Sequence, residues 1–233
     1  MDTNFNMPCP LSRTFAVTKN DFVATQPQAL RQQAFVQCFT WSIEHMAALH
    51  GEARNPFRAA RAFAHRMERK NFLHSDLIDC QRVEIGERPL CTSQCSTCDI
   101  DRIAYQLERR FSGNSKPTRI FWPSTEFARR FGTWTGSDCY PCPHKVSHDL
   151  IVTSVWLGLL KAAPEVACNA WTSERLLMAS AATSARRGPM PDAAICDEGK
   201  VHIAIEIGGN YPASWLRHHI ERFEQAGWDW EIW

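Results

Sequence analysis

The stretch PDAAICDEGKVHIAIEIGG, residues 191–209, decides how the rest of the chain is read. Two apolar runs, 192–197 and 201–207, flank the turn formers Glu198-Gly199-Lys200, which is the pattern of a tight β-hairpin. Alternation along the second run puts Ile203, Ile205 and Ile207 on one face and His202, Ala204 and Glu206 on the other. Asp192 opens the first strand and Glu206 lies near the end of the second, so the hairpin brings two carboxylates together. Such a pair can share Mg²⁺ or Mn²⁺, hard ions that take one or two carboxylates and fill their shell with water and phosphate oxygens. The ion would activate a water and offset the charge that builds up in phosphodiester cleavage. The plain alternative is a half-exposed hairpin whose acids are ordinary polar groups.

Elements on either side extend the hairpin into an α-β-β-β-α-β order. SHDLIVTSVWLGLLKA (147–162) reads as a helix and VACNAW (166–171) as a short strand. A helical turn and a loop lead to the hairpin, the helix PASWLRHHIERFEQAG (212–227) stops at Gly227, and WDWEIW (228–233) closes as a strand with Trp228, Trp230 and Trp233 on one face. Pro191-Asp192, thirteen intervening residues and Glu206-Ile207-Gly208 resemble the PD-(D/E)xK signature of the restriction-endonuclease-like superfamily. With His148-Asp149-Leu150 and Trp171 ahead of Ser173-Glu174, the chain looks more narrowly like plasmid replication-relaxation and mobilisation-associated proteins, which join a winged helix to a nuclease-like domain. The resemblance implies a small α/β domain over 146–233, with Asp192 and Glu206 as ligands of Mg²⁺ or Mn²⁺ and Glu174 as a further catalytic acid. It departs at the third position of the signature, where an active member carries Lys and this chain has Gly208. Arg217 or His218, on the following helix, is the candidate replacement cation.

Ahead of that domain the expectation is a flexible arm over 1–30 and a basic domain over 31–145. Phe35, Cys38, Phe39, Ile43, Met46 and Ala47 recur at helical spacing between Leu30 and His50, before Gly51. Asn55 as cap and Pro56 at the first position open a second helix, on or beside which fall Arg54, Arg58, Arg61, Arg66, Arg69 and Lys70. A strand over 76–85, a helix over 99–111, a strand over 118–124 and a short helix over 125–132 follow. Helices followed by hairpin-like strands are the ingredients of a winged helix-turn-helix, so the fold class is α+β. From Arg54 to Arg130, 15 Lys and Arg stand against 9 Asp and Glu, whereas from Val146 onward 7 stand against 11. A polyanion is therefore expected at the middle of the chain, with DNA held by Arg58, Arg61, Arg66, Arg69 and Lys70; the alternative is a solvated basic face.

Cys95-Ser-Thr-Cys98 and Cys139-Tyr-Pro-Cys142 form two CxxC pairs, and two such knuckles complete the tetrahedral set that structural zinc prefers. Cys91, Cys95 and Cys98 with one distant Cys could instead hold an iron-sulfur cluster, and free or buried thiols are the third option. No run approaches ~20 apolar residues and no basic-then-apolar leader opens the sequence, so no membrane partner and a cytoplasmic location are expected. There is no P-loop, nucleophile elbow or dinucleotide fingerprint. Three readings emerge: a DNA-binding protein of plasmid or mobile-element type with a degenerate nuclease-like domain, an active metal-dependent endonuclease, or a zinc-stabilised protein-interaction module. A second copy of the chain is the other candidate partner.

Overall fold

A computed structural model describes residues 26–131, 140–181 and 190–233. The expected arm over 1–30 lies almost wholly outside them. In chain order the elements are α1 (Gln26–Gln37), β1 (Trp41–Ser42), α2 (Ile43–Ala48), α3 (Pro56–Arg69), β2 (Leu73–Cys80), β3 (Cys91–Thr92), α4 (Ile100–Arg110), β4 (Lys116–Pro123) and α5 (Thr125–Phe131). They continue with α6 (Val146–Ala162), α7 (Pro164–Asn169), β5 (Trp171–Ser173), α8 (Glu174–Ala181), β6 (Ala193–Asp197), β7 (Lys200–Glu206), α9 (Ala213–Gln225) and β8 (Asp229–Ile232). The protein is a mixed α+β fold.

The chain divides into two compact units, and they are interleaved rather than consecutive. One, the α3 unit, is built from the described residues of Lys19–Arg82 and Asn114–Pro164; the other, the hairpin unit, uses Val83–Gly113 and Glu165–Trp233. A single boundary at 145/146 is therefore not what is found. β2 and β4 pair antiparallel along all eight residues, from Leu73↔Pro123 to Cys80↔Lys116. The chain leaves that ladder after Cys80, contributes β3 and α4 to the hairpin unit, and returns at Lys116. Helix α6, expected to open the C-terminal domain, belongs to the α3 unit, where Thr153 Oγ1 donates to the Thr40 carbonyl at 2.7 Å.

In the α3 unit the sheet order is β1-β4-β2. The continuous helix expected over 30–50 is broken, because Trp41 and Ser42 extend to pair with Phe121 and Ile120 of β4. Ser42 then caps α2 with a reciprocal box in which its Oγ accepts from His45 N and His45 Nδ1 accepts from Ser42 N. Asn55 Oδ1 accepts from Arg58 N at 3.0 Å, and Pro56 occupies the first turn of α3. Phe35, Trp41, Trp156 and Phe127 are fully buried, with the Phe35 and Trp41 rings 4.8 Å apart and the two indoles edge-on at 6.2 Å.

The hairpin unit has the sheet order β3-β8-β7-β6-β5. β5, β6 and β7 form an antiparallel meander, and β8 returns through α9 to lie parallel to β7. Residues 166–169, expected as strand, finish α7, and the strand begins only at Trp171. Leu107 and Ile103 of α4 and Leu216 and Phe223 of α9 pack with Ala194, Ala204, Trp230 and Ile232 of the sheet. Trp228 and Trp230 join that core, while Trp233 does not share their face: its indole Nε1 donates to Glu231 Oε2 at 2.9 Å.

Candidate active site

The strand register builds the site. Ser173 pairs with Ala193 and Ala193 with Ile205, so the next step outward, past the ends of β5 and β6, sets Glu174 at the start of α8 and Asp192 just before β6 in a row with Glu206, the last residue of β7. The backbone closes that row, with Glu174 N donating to the Asp192 carbonyl at 2.9 Å. Opposed residues of an antiparallel pair have Cβ atoms about 5 Å apart on one face. The two acids of the hairpin and the third acid ahead of it are thus neighbours, as their order in the sequence suggests.

Their surroundings differ. Asp192 is half-buried, and its Oδ2 accepts from Ile207 N at 2.8 Å, tying the start of β6 to the end of β7. Glu206 is buried, only 4% exposed, because its face of β7 is the one that α9 covers. His219 of α9 faces it, Nδ1 to Oε2 3.6 Å. Burial is the main reason the imidazole is held below its ordinary pKa, the Arg222 charge adds to it, and Asp192 opposes it. A neutral His219 makes this a close polar contact rather than an ion pair.

Two residues that carry no motif of their own complete the arrangement. Tyr211 stacks on Trp215 at 4.0 Å, and Trp215 stacks on His219 at 3.6 Å, an aromatic column along one edge of α9. The Tyr211 phenol is held above its ordinary pKa, first by burial and then by the charges of Asp192, Glu206 and Glu174, so it stays a neutral donor beside all three acids. The spacing 211, 215, 219 is a helical i, i+4, i+8 signal that was available in the sequence.

The glycine at 208 has a steric reason. A Cβ on Gly208 would stand 2.1 Å from Leu107 Cδ1 and 2.8 Å from Leu107 Cγ, and Leu107 of α4 is fully buried. A Cβ on Gly209 would stand 2.9 Å from the Tyr211 ring. One glycine admits α4 and the other admits Tyr211, so the position to which the sequence resemblance assigns a Lys is filled by packing. Arg217 does not turn to the acids: it pairs with Asp101 of α4 on the exposed side of α9. His218 is exposed; its neighbour His219 is the one aimed at the site.

As donors, carboxylate oxygens suit a hard divalent cation. Glu206 is recessed, however, and the crevice between it, Leu216, Phe223 and Trp230 has no room for a water molecule. Among the described residues no three His, Cys, Asp or Glu side chains converge as a metal centre.

The remaining expected sites fall elsewhere. Arg58, Arg61, Arg66 and Arg69 of α3 and Lys70 at its C-cap are all exposed. Arg58, Arg61 and Arg69 share one stripe with His65 at three- and four-residue steps, and Arg66 flanks it. Burial lowers the His50 pKa and the charges of Arg31 and Arg66 lower it further, which marks a positive field on that side. Of the zinc candidates, Cys139 lies outside the described residues and Cys142 is a free, exposed thiol. Cys98 is joined in a disulfide to Cys91, and Cys95 is free and exposed. His148 and Asp149 of the resemblance lie on α6 in the α3 unit, where Asp149 Oδ2 accepts from Thr40 Oγ1 at 3.3 Å and braces the helix. No described helix is long and apolar enough to cross a membrane. Compared with known proteins, the chain matches no family model, no curated protein and no solved structure.

Proposed function

We propose that this chain is a DNA-binding protein whose hairpin unit has a nuclease-like arrangement in which the acids remain and the cutting cation is lost. One observation carries the DNA reading: α3 presents Arg58, Arg61 and Arg69 in a single solvent-facing stripe, flanked by Arg66 and Lys70. Its setting agrees with that use. Within the α3 unit the order α1-β1-α2-α3-β2-β4, with β3 and α4 passing to the other unit between β2 and β4, and the sheet β1-β4-β2 support a winged helix-turn-helix reading, in which α3 would be the helix offered to the major groove. The β5-β6-β7 meander with β8 parallel to β7 supports the restriction-endonuclease-like reading of the other unit. The plasmid or mobile-element setting rests on the motif resemblance alone.

Fluorescence anisotropy on a labelled duplex at several salt concentrations tests it. Replacing Arg58, Arg61 and Arg66 together with Ala should weaken binding and flatten the plot of log affinity against log salt, by up to about 0.9 for each phosphate no longer neutralised. An unchanged slope would put the DNA elsewhere or nowhere.

The rung of Glu174, Asp192 and Glu206 favours a second reading, a Mg²⁺- or Mn²⁺-dependent endonuclease. Supercoiled plasmid incubated with either ion separates the two. Nicking that Asp192→Ala abolishes while DNA binding persists supports the enzyme; binding with no nicking supports the degenerate site.

A further inference from the structure

Three cysteines of the hairpin unit stand apart from the carboxylate rung and have no part in the DNA reading. Cys91 lies in β3, opposite Ile232 of β8, and is buried in the core. Cys98 is half-buried directly before Asp99, whose carboxylate caps α4 by accepting from Arg102 N at 3.1 Å. Their disulfide, with Cα atoms 6.2 Å apart, fastens an edge strand to the start of a helix. Cys95 sits in the loop it closes, an exposed free thiol with only Ser96 and Thr97 between it and Cys98. Cys95 and Cys98 both line an open cavity of about 310 Å³, together with Ser93, Ser96, Arg217 and Trp230.

We propose that Cys91, Cys95 and Cys98 form a thiol–disulfide exchange site that takes small thiols through this cavity and moves the bridge from Cys91–Cys98 to Cys95–Cys98. Access decides which sulfur is attacked, since Cys98 faces the cavity and Cys91 is enclosed by the core. In the direct step the Cys95 thiol gives its proton to solvent and its sulfur attacks Cys98 Sγ. The Cys91–Cys98 bond breaks, and its electron pair leaves on Cys91 Sγ, which takes up a proton. With an external thiol the first attack gives a mixed disulfide on Cys98 and a free Cys91 thiol. Cys95 then attacks the Cys98 sulfur of that mixed disulfide and expels the small thiol unchanged. Neither route changes the number of disulfides, so neither needs an oxidant.

The spacing favours the product, because two thiols separated by two residues form the redox pair of many oxidoreductases. Moving the bridge frees β3 from α4. That helix carries the Leu107 packed against Gly208 and the Asp101 paired with Arg217, so the exchange reaches the packing beneath the carboxylate rung.

The test uses the full chain equilibrated with reduced and oxidised glutathione, quenched in acid, alkylated and mapped by peptide mass spectrometry. Both the Cys91–Cys98 and the Cys95–Cys98 peptides are expected, with the alkyl label divided between Cys95 and Cys91. In Cys95→Ser the second peptide should be lost and a glutathione adduct on Cys98 should accumulate where the unsubstituted chain clears it. A bridge confined to Cys91–Cys98 at every glutathione ratio overturns the proposal. So does a chain whose three thiols are all reduced and resist alkylation until a metal chelator is added, which would make them ligands. The unsubstituted chain alone decides the matter if the variant does not fold.

Discussion

The arginines of α3 and the acids of the hairpin are opposite ways to hold charge. On α3 the guanidinium groups project into water from a helix whose other face, Ala60, Phe63 and Ala64, is buried. Their charge does little to the fold and is available to a partner. In the hairpin unit Glu206 is carried under α9, beside a neutral His219 and within the field of two more carboxylates. Burying an ionised carboxylate is costly unless something specific compensates it. A surface array therefore speaks mainly about binding, whereas a carboxylate such as Glu206, held under a helix, speaks about an arrangement that the surrounding packing must sustain.

The sharpest way to break that contrast is to remove the packing. Leu107→Ala should cost about 2–5 kcal/mol, as expected for a fully buried Leu, and urea denaturation would measure it. A cost near zero would mean that α4 does not press on Gly208.

The half-buried His45 ring of the α3 unit gives the next largest effect. His45 Nε2 lies 2.9 Å from Ser154 Oγ while Nδ1 accepts from Ser42 N, so the neutral tautomer satisfies both nitrogens. Burial pushes its pKa down to about 4, against the pull of Glu44. A base depressed in the folded state lends stability that is full above the unfolded value of 6.5 and is lost as pH falls from there towards 4. The loss is on the order of 3 kcal/mol. Denaturation midpoints between pH 7 and pH 4 should fall more steeply for the parent chain than for His45→Gln; parallel curves would refute the assignment.

Placing a Lys at 208 should do harm. Gly208→Lys forces a side chain against Leu107 and is expected to cost about 1–3 kcal/mol by overpacking. The penalty should shrink in a Leu107→Ala background, a coupling of about 0.5 kcal/mol or more. A Lys at 208 that is neutral and confers nicking would reverse the reading of the site. At the small end, Asn55→Ala should cost about 1 kcal/mol as α3 loses its cap. Arg58→Ala should leave stability within about 0.5 kcal/mol while still lowering DNA affinity.

Local chemistry was legible in the sequence and distant pairing was not. Asn55-Pro56 announces the start of α3, and the alternation of 201–207 announces β7, because caps and period-two patterns act over a few residues. Two residues as short as Trp41-Ser42 gain strand geometry only from Phe121 and Ile120, which no local pattern reveals. The carboxylate rung was half visible: the hairpin gave Asp192 and Glu206, while Glu174 needed the resemblance and Tyr211 and His219 needed the path of α9. Arg217 has the charge the site would need, but its partner Asp101 lies in a segment that reads, from sequence, as part of another domain.

The place of β8 in its sheet bears on how the molecule is made. Asp229–Ile232 lies between β3 and β7, and Leu90 N and Ser93 N bond to Ile232 and Trp230 across it. Emerging from a ribosome, β3 therefore has no strand to pair with until more than a hundred further residues, as far as β8, have been translated, and closing so long a loop slows its assembly. Throughout that interval Cys91, the segment's future core residue, is open to solvent and to chaperones. The α3 unit, complete by Pro164, meets no such delay, so translation should deliver a folded half that waits for the other.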